Sequence, residues 1–225
     1  MMRLPDWTAQ EPFKGLPMPA HRWLRSAARE KRLKEGEILF QEGEPADHLW
    51  IVRSGWVRLV RRVTDGQHLT VDIVTPKGRF CGLTAFIGGH YMATAVAAGP
   101  VTVVAIPAKA LSHLMQEHVE LASYVAKQFD ERYQHMVAAY TTAFCPVQQR
   151  LAAVLIRLKG AFGSVLPVTR REVAEMGGTT VETAIRVTRQ MQKEGILQVS
   201  RGRIEILHPG LLSHIEHPSS PADGT

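Results

Sequence analysis

"TRREVAEMGGTTVETAIRVTRQMQKEGIL", Thr169–Leu197, decides the fold of the C-terminal third of the chain. It holds two amphipathic segments separated by Gly177-Gly178. Thr169 stands three residues before Glu172, and Thr179 three before Glu182. That spacing lets a threonine side chain and a glutamate side chain satisfy each other's backbone N–H groups, and it predicts two helix starts. A helical segment, "VQQRLAAVLIRLKG", precedes them, and "ILQVSRGRIEIL" follows with a turn at Arg201-Gly202. Helix, tight turn, helix and hairpin together predict a winged helix-turn-helix. Inside the second helix, Glu182 and Arg186 are four apart. One reading is a solvated i,i+4 pair contributing about 0.2–0.5 kcal/mol. The other is a face for the DNA major groove, where arginine pairs with guanine and a carboxylate accepts from cytosine.

Upstream, Pro146 ends or hinges a long helix. From His113 to Phe144 there is neither proline nor glycine, and Ala122, Ala126, Phe129, Tyr133, Met136, Tyr140 and Ala143 recur at alternating spacings of four and three. This predicts one helix with a coiled-coil seam, buried against a second copy in a parallel homodimer or against the preceding domain. Further upstream, short β-rich runs such as "EILF", "LWIV", "LTVDIV" and "VTVVAI" alternate with glycine turns between Leu33 and Pro107. They predict a small all-β roll, entered through a helix over about Ala20 to Arg32.

The chain has 225 residues, 45% of them apolar, enough for one large or two modest cores. Its net charge is +6, unevenly spread. Residues 1–35 carry eight Lys/Arg against four Asp/Glu, residues 36–145 nine against ten, and residues 146–215 ten against five. Basic ends suit an anionic partner. Two cysteines, Cys81 and Cys145, make neither a disulfide framework nor a four-ligand zinc site, and a reducing cytoplasm is the expected location. No signal-like or membrane-spanning apolar run is present, so no membrane partner is expected. No phosphate-cradling glycine loop, nucleophile elbow or metal-spaced histidine cluster points to an enzyme. His113 and His118 form the one close histidine pair on a helix and read as surface.

Two stretches carry a family resemblance: "LKEGEILFQEGEPADHLWIVRSGWVRLV", Leu33–Val60, and the helix-turn-helix stretch quoted first. In this order, with a long helix between, they resemble the cyclic-AMP receptor protein / fumarate-nitrate reductase regulator (CRP/FNR) superfamily of bacterial transcription factors, over roughly residues 18–210. The resemblance implies an α+β protein. Its parts are an N-terminal jelly-roll-like β-roll (double-stranded β-helix) sensor domain over residues 1–112, a dimerisation helix over 113–145 and a winged helix-turn-helix over 146–215. Residues 216–225 are expected to form a disordered tail.

The implied partners are double-stranded DNA, a second copy of the chain and RNA polymerase. Glu182 and Arg186 match the family's base-reading acid and arginine, and Val181 and Ile185 match neighbours that vary between subfamilies. "TVET" before the arginine is closer to the FNR-like branch, though Ile185 stands where that branch usually has serine. Thr169, Arg170, Thr180, Arg189, Arg201 and Arg203 are candidates for phosphate contacts.

The resemblance also implies an effector between the roll and the long helix. Cyclic-nucleotide binders carry a Gly-Glu pair for the ribose and an Arg-Ser pair for the phosphate. Here those places read Gly82-Leu83 and Met92-Ala93, and His135-Met136 replaces the adenine-contacting hydroxyl pair. A buried phosphate would lack its cation, which argues against cyclic AMP. An iron–sulfur cluster needs about four thiolates, and the N-terminal segment has none. Haem stays open, because Cys81 matches the thiolate position of the family's haem-based carbon monoxide sensor and His90, His135 and Met136 are further axial candidates. A cysteine redox switch, an unidentified small molecule, and control by abundance alone also stay open. So does a ligand-binding module without DNA binding.

Overall fold

The computed structural model describes residues 6–9, 11–63, 68–76 and 80–216, while the side chains of His68, Phe80, Cys81 and His135 lie outside that description. Within it the chain forms two compact units, divided between Gln134 and His135.

The first unit is a β-roll with helices. Helix α1 (Met18–Ala27) leads into strand β1 (Arg29–Leu33). The single helix expected over about Ala20 to Arg32 therefore stops early. Its last residues pair antiparallel with the late strand β8 (Val101–Pro107), Arg29 opposite Ala105 and Leu33 opposite Val101. Tertiary pairing outweighs the helical preference of an Arg/Lys/Glu run because β8 offers its free edge there. Strands β2 (Ile38–Phe40), β3 (His48–Ser54), β4 (Val57–Arg62), β5 (His68–Val74), β6 (Phe80–Cys81) and β7 (Thr94–Ala97) complete the roll. They form two four-stranded sheets, β1-β8-β3-β6 and β2-β7-β4-β5, with every pairing antiparallel.

β3 buries four consecutive residues, Leu49 to Val52, so both of its faces are covered. The facing sheet covers one. The other lies beneath apolar residues of the N-terminal segment, α1 and the helix α2 (Ala108–Glu117): Phe13, Leu24, Leu111 and Leu114 share one core with the roll.

The unbroken helix expected from His113 to Phe144 is two helices. α2 ends at Glu117; His118 is extended (φ −130°, ψ 96°), and α3 runs over Val119–Thr142. The break needs no proline or glycine, so residue type did not signal it. The same face of α3 is covered at its N-terminal end and bare at its C-terminal end. Leu121 and Val125 are buried in the roll core and Phe129 packs partly against it, whereas Tyr133, Met136, Tyr140 and Ala143 are exposed. Arg132 of α3 reaches Asp72 of β5 across 3.8 Å.

The second unit holds the C-terminal end of α3, then α4 (Val147–Phe162), β9 (Val165–Leu166), α5 (Arg170–Met176), α6 (Val181–Lys193), β10 (Leu197–Ser200), β11 (Arg203–Ile206) and α7 (Pro209–Glu216). The three strands form an antiparallel sheet in the order β10-β11-β9, with Ser200 opposite Arg203 around the Arg201-Gly202 turn. Leu151, Leu155 and Leu158 of α4 are fully buried with Leu166, Val173, Ala184, Met191 and Ile204, the core on which α5 and α6 sit. The expected tail lies outside the described residues, apart from Glu216, which ends α7. Among the described residues no helix is long and apolar enough to cross a membrane.

Candidate nucleic-acid interface

Helix α5 starts as its sequence predicts. The Thr169 hydroxyl accepts from the Glu172 N–H at 3.2 Å, and the Glu172 carboxylate accepts from the Thr169 N–H at 2.7 Å and from its hydroxyl at 2.9 Å. Glu172 is buried in this arrangement, so Thr169 spends both of its donors on the cap.

The second helix start differs from expectation by one residue. The N-cap is Thr180, whose hydroxyl accepts from the Thr183 N–H at 3.2 Å, and no Thr179–Glu182 box forms. Either threonine carries a suitable hydroxyl; the turn geometry decides between them. Gly178 lies in the left-handed region at φ +60°. A Cβ on Gly177 would lie 2.5 Å from Leu151 Cδ2, so the turn before α6 approaches α4 as closely as a backbone without a side chain allows. Arg150, one residue before Leu151, donates to the Ala143 carbonyl at 3.0 Å and the Gly178 carbonyl at 3.2 Å. It ties the end of the α3 segment to the helix-turn-helix turn. Residue type did not mark it, because its acceptors are main-chain oxygens.

α6 divides cleanly. Ala184, Val187, Thr188 and Met191 are buried, while Glu182, Arg186, Arg189, Gln190 and Lys193 are exposed and, with the half-buried Ile185, line one shallow groove. Val181 is half-buried at the helix start. Gln190 and Lys193 were not anticipated; each follows an anticipated arginine by four residues, which was the available signal.

The opening pair is not a salt bridge. Among the described residues Glu182 and Arg186 make no ion pair with each other, and Arg186 has no acidic partner. The Glu182 carboxyl lies below its ordinary range because its own free backbone N–H and the Thr180 hydroxyl hydrogen-bond the charged form. Both charges therefore face outward unneutralised.

Arg170 reaches from α5 to α6, where its Nε donates to the Thr188 hydroxyl at 3.1 Å while that hydroxyl donates to the Ala184 carbonyl at 2.7 Å. Burial, and secondarily the Arg189 charge, lower the Arg170 pKa. Two guanidinium groups held near each other favour an anion close by. At the hairpin, Arg201 is exposed at the tip, whereas Arg203 is paired with Glu205 at 3.2 Å.

The described residues expected around an effector differ in exposure. Leu83 is a core residue, 6% exposed, in a short 3-10 helix over Leu83–Ile87, while His90 is exposed and Met92 is 72% exposed. Met136 is 62% exposed on α3. Gly82 has a packing reason instead. At φ +74° its Cβ would lie 2.7 Å from the Tyr91 ring and 2.8 Å from the His48 carbonyl. Tyr91 stacks on Phe40 at 3.8 Å, and its hydroxyl accepts from Trp50 Nε1 at 3.0 Å and the His48 N–H at 3.2 Å. Burial raises its pKa. His90 and Met136, the axial candidates whose side chains are described, are both exposed, while Cys81 and His135 fall outside the described side chains. Among the described residues no group of three or more His, Cys, Asp or Glu is placed to hold a metal ion.

Comparison with known proteins agrees with both units. Residues 30–118 match the family model described as cyclic nucleotide-binding domain, and residues 149–215 match that described as Crp-like helix-turn-helix domain. The chain is 26% identical over 183 residues to the "Cyclic AMP receptor protein" of Thermus thermophilus, covering 80% of this chain and 85% of the relative. It is 28% identical over 192 residues to the "Transcriptional activator protein FnrA" of Stutzerimonas stutzeri, covering 80% and 77%. The solved structure of FixK2 from Bradyrhizobium japonicum superposes with a TM-score of 0.78 at 21% identity, over 86% of this chain and 99% of that one, a likeness of fold. With a nucleotide-binding-type roll, a Crp-like helix-turn-helix and relatives of these kinds, the chain belongs to the CRP/FNR superfamily of transcription regulators, which are not enzymes.

Proposed function

We propose that the chain acts as a homodimer that binds an inverted repeat. Glu182 and Arg186 of each protomer read a G·C-containing core in each half-site, and Arg170, Thr180, Arg189, Arg201 and Arg203 meet phosphates. One observation carries this reading: α6 is firmly capped and packed on one face, and it holds an acid and an arginine unpaired on the other. The two charges remain available to a cytosine amino group and to guanine O6 and N7. Thr169 keeps a capping role.

Dimerisation runs through Ala122, Ala126, Phe129, Tyr133, Met136, Tyr140 and Ala143. Support comes from the exposure of the C-terminal part of this row, where Tyr140 is 68% and the neighbouring Phe144 78% exposed, a large apolar stripe for one chain to leave in water. The roll with α1 and α2 forms the sensing part, α3 (Val119–Thr142) the dimer helix and residues 146–215 the DNA-reading part, and the bound dimer contacts RNA polymerase.

Its effector is not cyclic AMP. The relative named for that nucleotide is similar in sequence, yet Leu83 is buried in the core here and Met92 is a solvent-facing thioether where a phosphate would need a cation. Selection of binding sites from random duplexes, with sedimentation of the protein alone, tests the reading. The expected result is a dimer and an inverted repeat with half-site centres about one helical turn, roughly 34 Å, apart. A monomer at micromolar concentration, or no enriched sequence, overturns it.

A further inference from the structure

From Ala126 to Arg150 no described residue is buried: Val125 is the last core residue of α3 and Leu151 the first of α4. The C-terminal end of α3, with the exposed Met136, Tyr140 and Ala143, nevertheless belongs to the same compact unit as α6. The joint between them is made of backbone and polar groups. After Thr142 the Phe144 N–H donates to the Thr141 carbonyl at 3.2 Å and the Cys145 N–H to the Thr142 carbonyl at 2.9 Å, and Pro146 then caps α4. The Arg150 side chain spans this joint. Its Nη1 donates to the Ala143 carbonyl at the end of α3, and its Nη2 to the Gly178 carbonyl, two residues before the Thr180 cap of α6. Its Nε is buried and has no hydrogen-bond partner among the described residues, which costs stability. A methionine would fill most of the space of the stem without that cost, so folding alone does not account for an arginine there.

We infer that Arg150 is a positioning residue that sets the spacing between the two half-sites. The inference rests on the dimer and the DNA reading proposed above, and it concerns how far apart the two α6 helices stand, not which bases they read. Two-fold symmetry doubles any error at the joint. Half-site centres about 34 Å apart put each recognition helix about 17 Å from the axis. A turn of about 6° at each joint moves each centre by about 1.8 Å and changes their separation by about 3.5 Å, roughly one base-pair step. A joint without an apolar core must therefore be held to a few degrees if the dimer is to prefer one spacing. A guanidinium is suited to this, because its donors lie in one rigid plane and hydrogen bonds weaken steeply when bent. The Ala143 carbonyl also lies at the C-terminal end of α3, where the helix dipole favours a cation.

The test measures affinity for the selected inverted repeat and for repeats with one or two base pairs added to or removed from its centre. Wild type, Arg150→Met and Arg150→Lys are compared, with sedimentation and melting recorded for each. Wild type should prefer one spacing by at least about tenfold, since a recognition helix shifted off its half-site forfeits a specific base contact. Arg150→Met should bring the neighbouring spacings to within about threefold of the best while a substitution at the core guanine weakens it as much as it weakens the wild type. Arg150→Lys keeps the charge but offers one ammonium in place of the fork, so its profile should be intermediate. If Arg150→Met does not fold, Arg150→Lys decides: a profile broader than that of the wild type supports the inference, and an unchanged one overturns it. An unchanged profile in a folded Arg150→Met dimer, or a loss equal at every spacing, overturns it while the DNA reading stands. So does a wild type that binds every spacing alike. A wild type that binds no repeat at any spacing removes the DNA reading itself, and the inference with it.

Discussion

Arg186→Ala separates the groove reading from every structural role of the residue. Arg186 is exposed, has no ionic partner among the described residues and lies opposite the packed face of α6, so its loss opens no cavity and strands no buried charge. Alanine is also the best helix former. The unfolding free energy should thus change by no more than about 0.5 kcal/mol. Affinity should respond differently. One bidentate arginine–guanine contact contributes about 1–3 kcal/mol of discrimination, or about 5- to 150-fold per half-site, and a two-fold dimer loses it twice. Fluorescence anisotropy on the selected repeat and on single-base variants at the core guanine measures both quantities. The variant should bind the consensus far more weakly and no longer distinguish guanine at that position, while melting like the wild type. If site selection with the variant recovers the same consensus at the same strength, the argument from the unpaired Glu182 and Arg186 is wrong.

Arg201→Ala at the hairpin tip should weaken all duplexes alike and lower the slope of log affinity against log salt by about 0.9, read from titrations at several salt concentrations; a sequence-selective loss would show that it reads a base. Tyr140→Glu should convert the dimer to monomer in sedimentation without lowering the melting temperature of the β-roll, since Tyr140 is exposed and outside the roll core. Gly177→Ala should destabilise the DNA-binding unit by about 1–3 kcal/mol in denaturant titration, because its Cβ would lie 2.5 Å from Leu151 Cδ2. Calorimetry with cyclic AMP should give no binding at micromolar concentration; a measurable micromolar affinity would mean that a cation other than those described meets the phosphate.

The helix-turn-helix was legible because its signals are local. A hydroxyl and an acid three apart announce a helix start, and the Gly177-Gly178 pair announces a turn; even the error at Thr179 was one residue, between two threonines that cap equally well. The roll was legible as a class from its short strands. Its first strand was not, since "REKRL" reads as helix until β8 is present to pair with it. His118 hid the break between α2 and α3 for a similar reason, as no residue type there forbids a helix. The supposed effector residues show the limit of reasoning by position. Gly82 is required by the Tyr91 ring, and Met92, one residue further on, faces solvent. Which way a side chain points depends on strand register, and register is set by partners far along the chain. Arg150 lay beyond reach because both its acceptors are main-chain carbonyls.

The clean division of α6 bears on how such a regulator changes over evolutionary time. Ala184, Val187, Thr188 and Met191 hold the helix in place, and Glu182 and Arg186 do not share in that work. On the proposed DNA reading, substitutions on the outward row alter the preferred DNA word at little thermodynamic risk, and a duplicated copy can drift toward a new set of promoters while it still folds. The same freedom stops at the turn, where Gly177 leaves no room for a side chain beside Leu151 and Arg150 holds the Gly178 carbonyl. Divergence among descendants of this chain should accordingly concentrate at positions 181, 182, 185 and 186 and spare positions 150, 151 and 177.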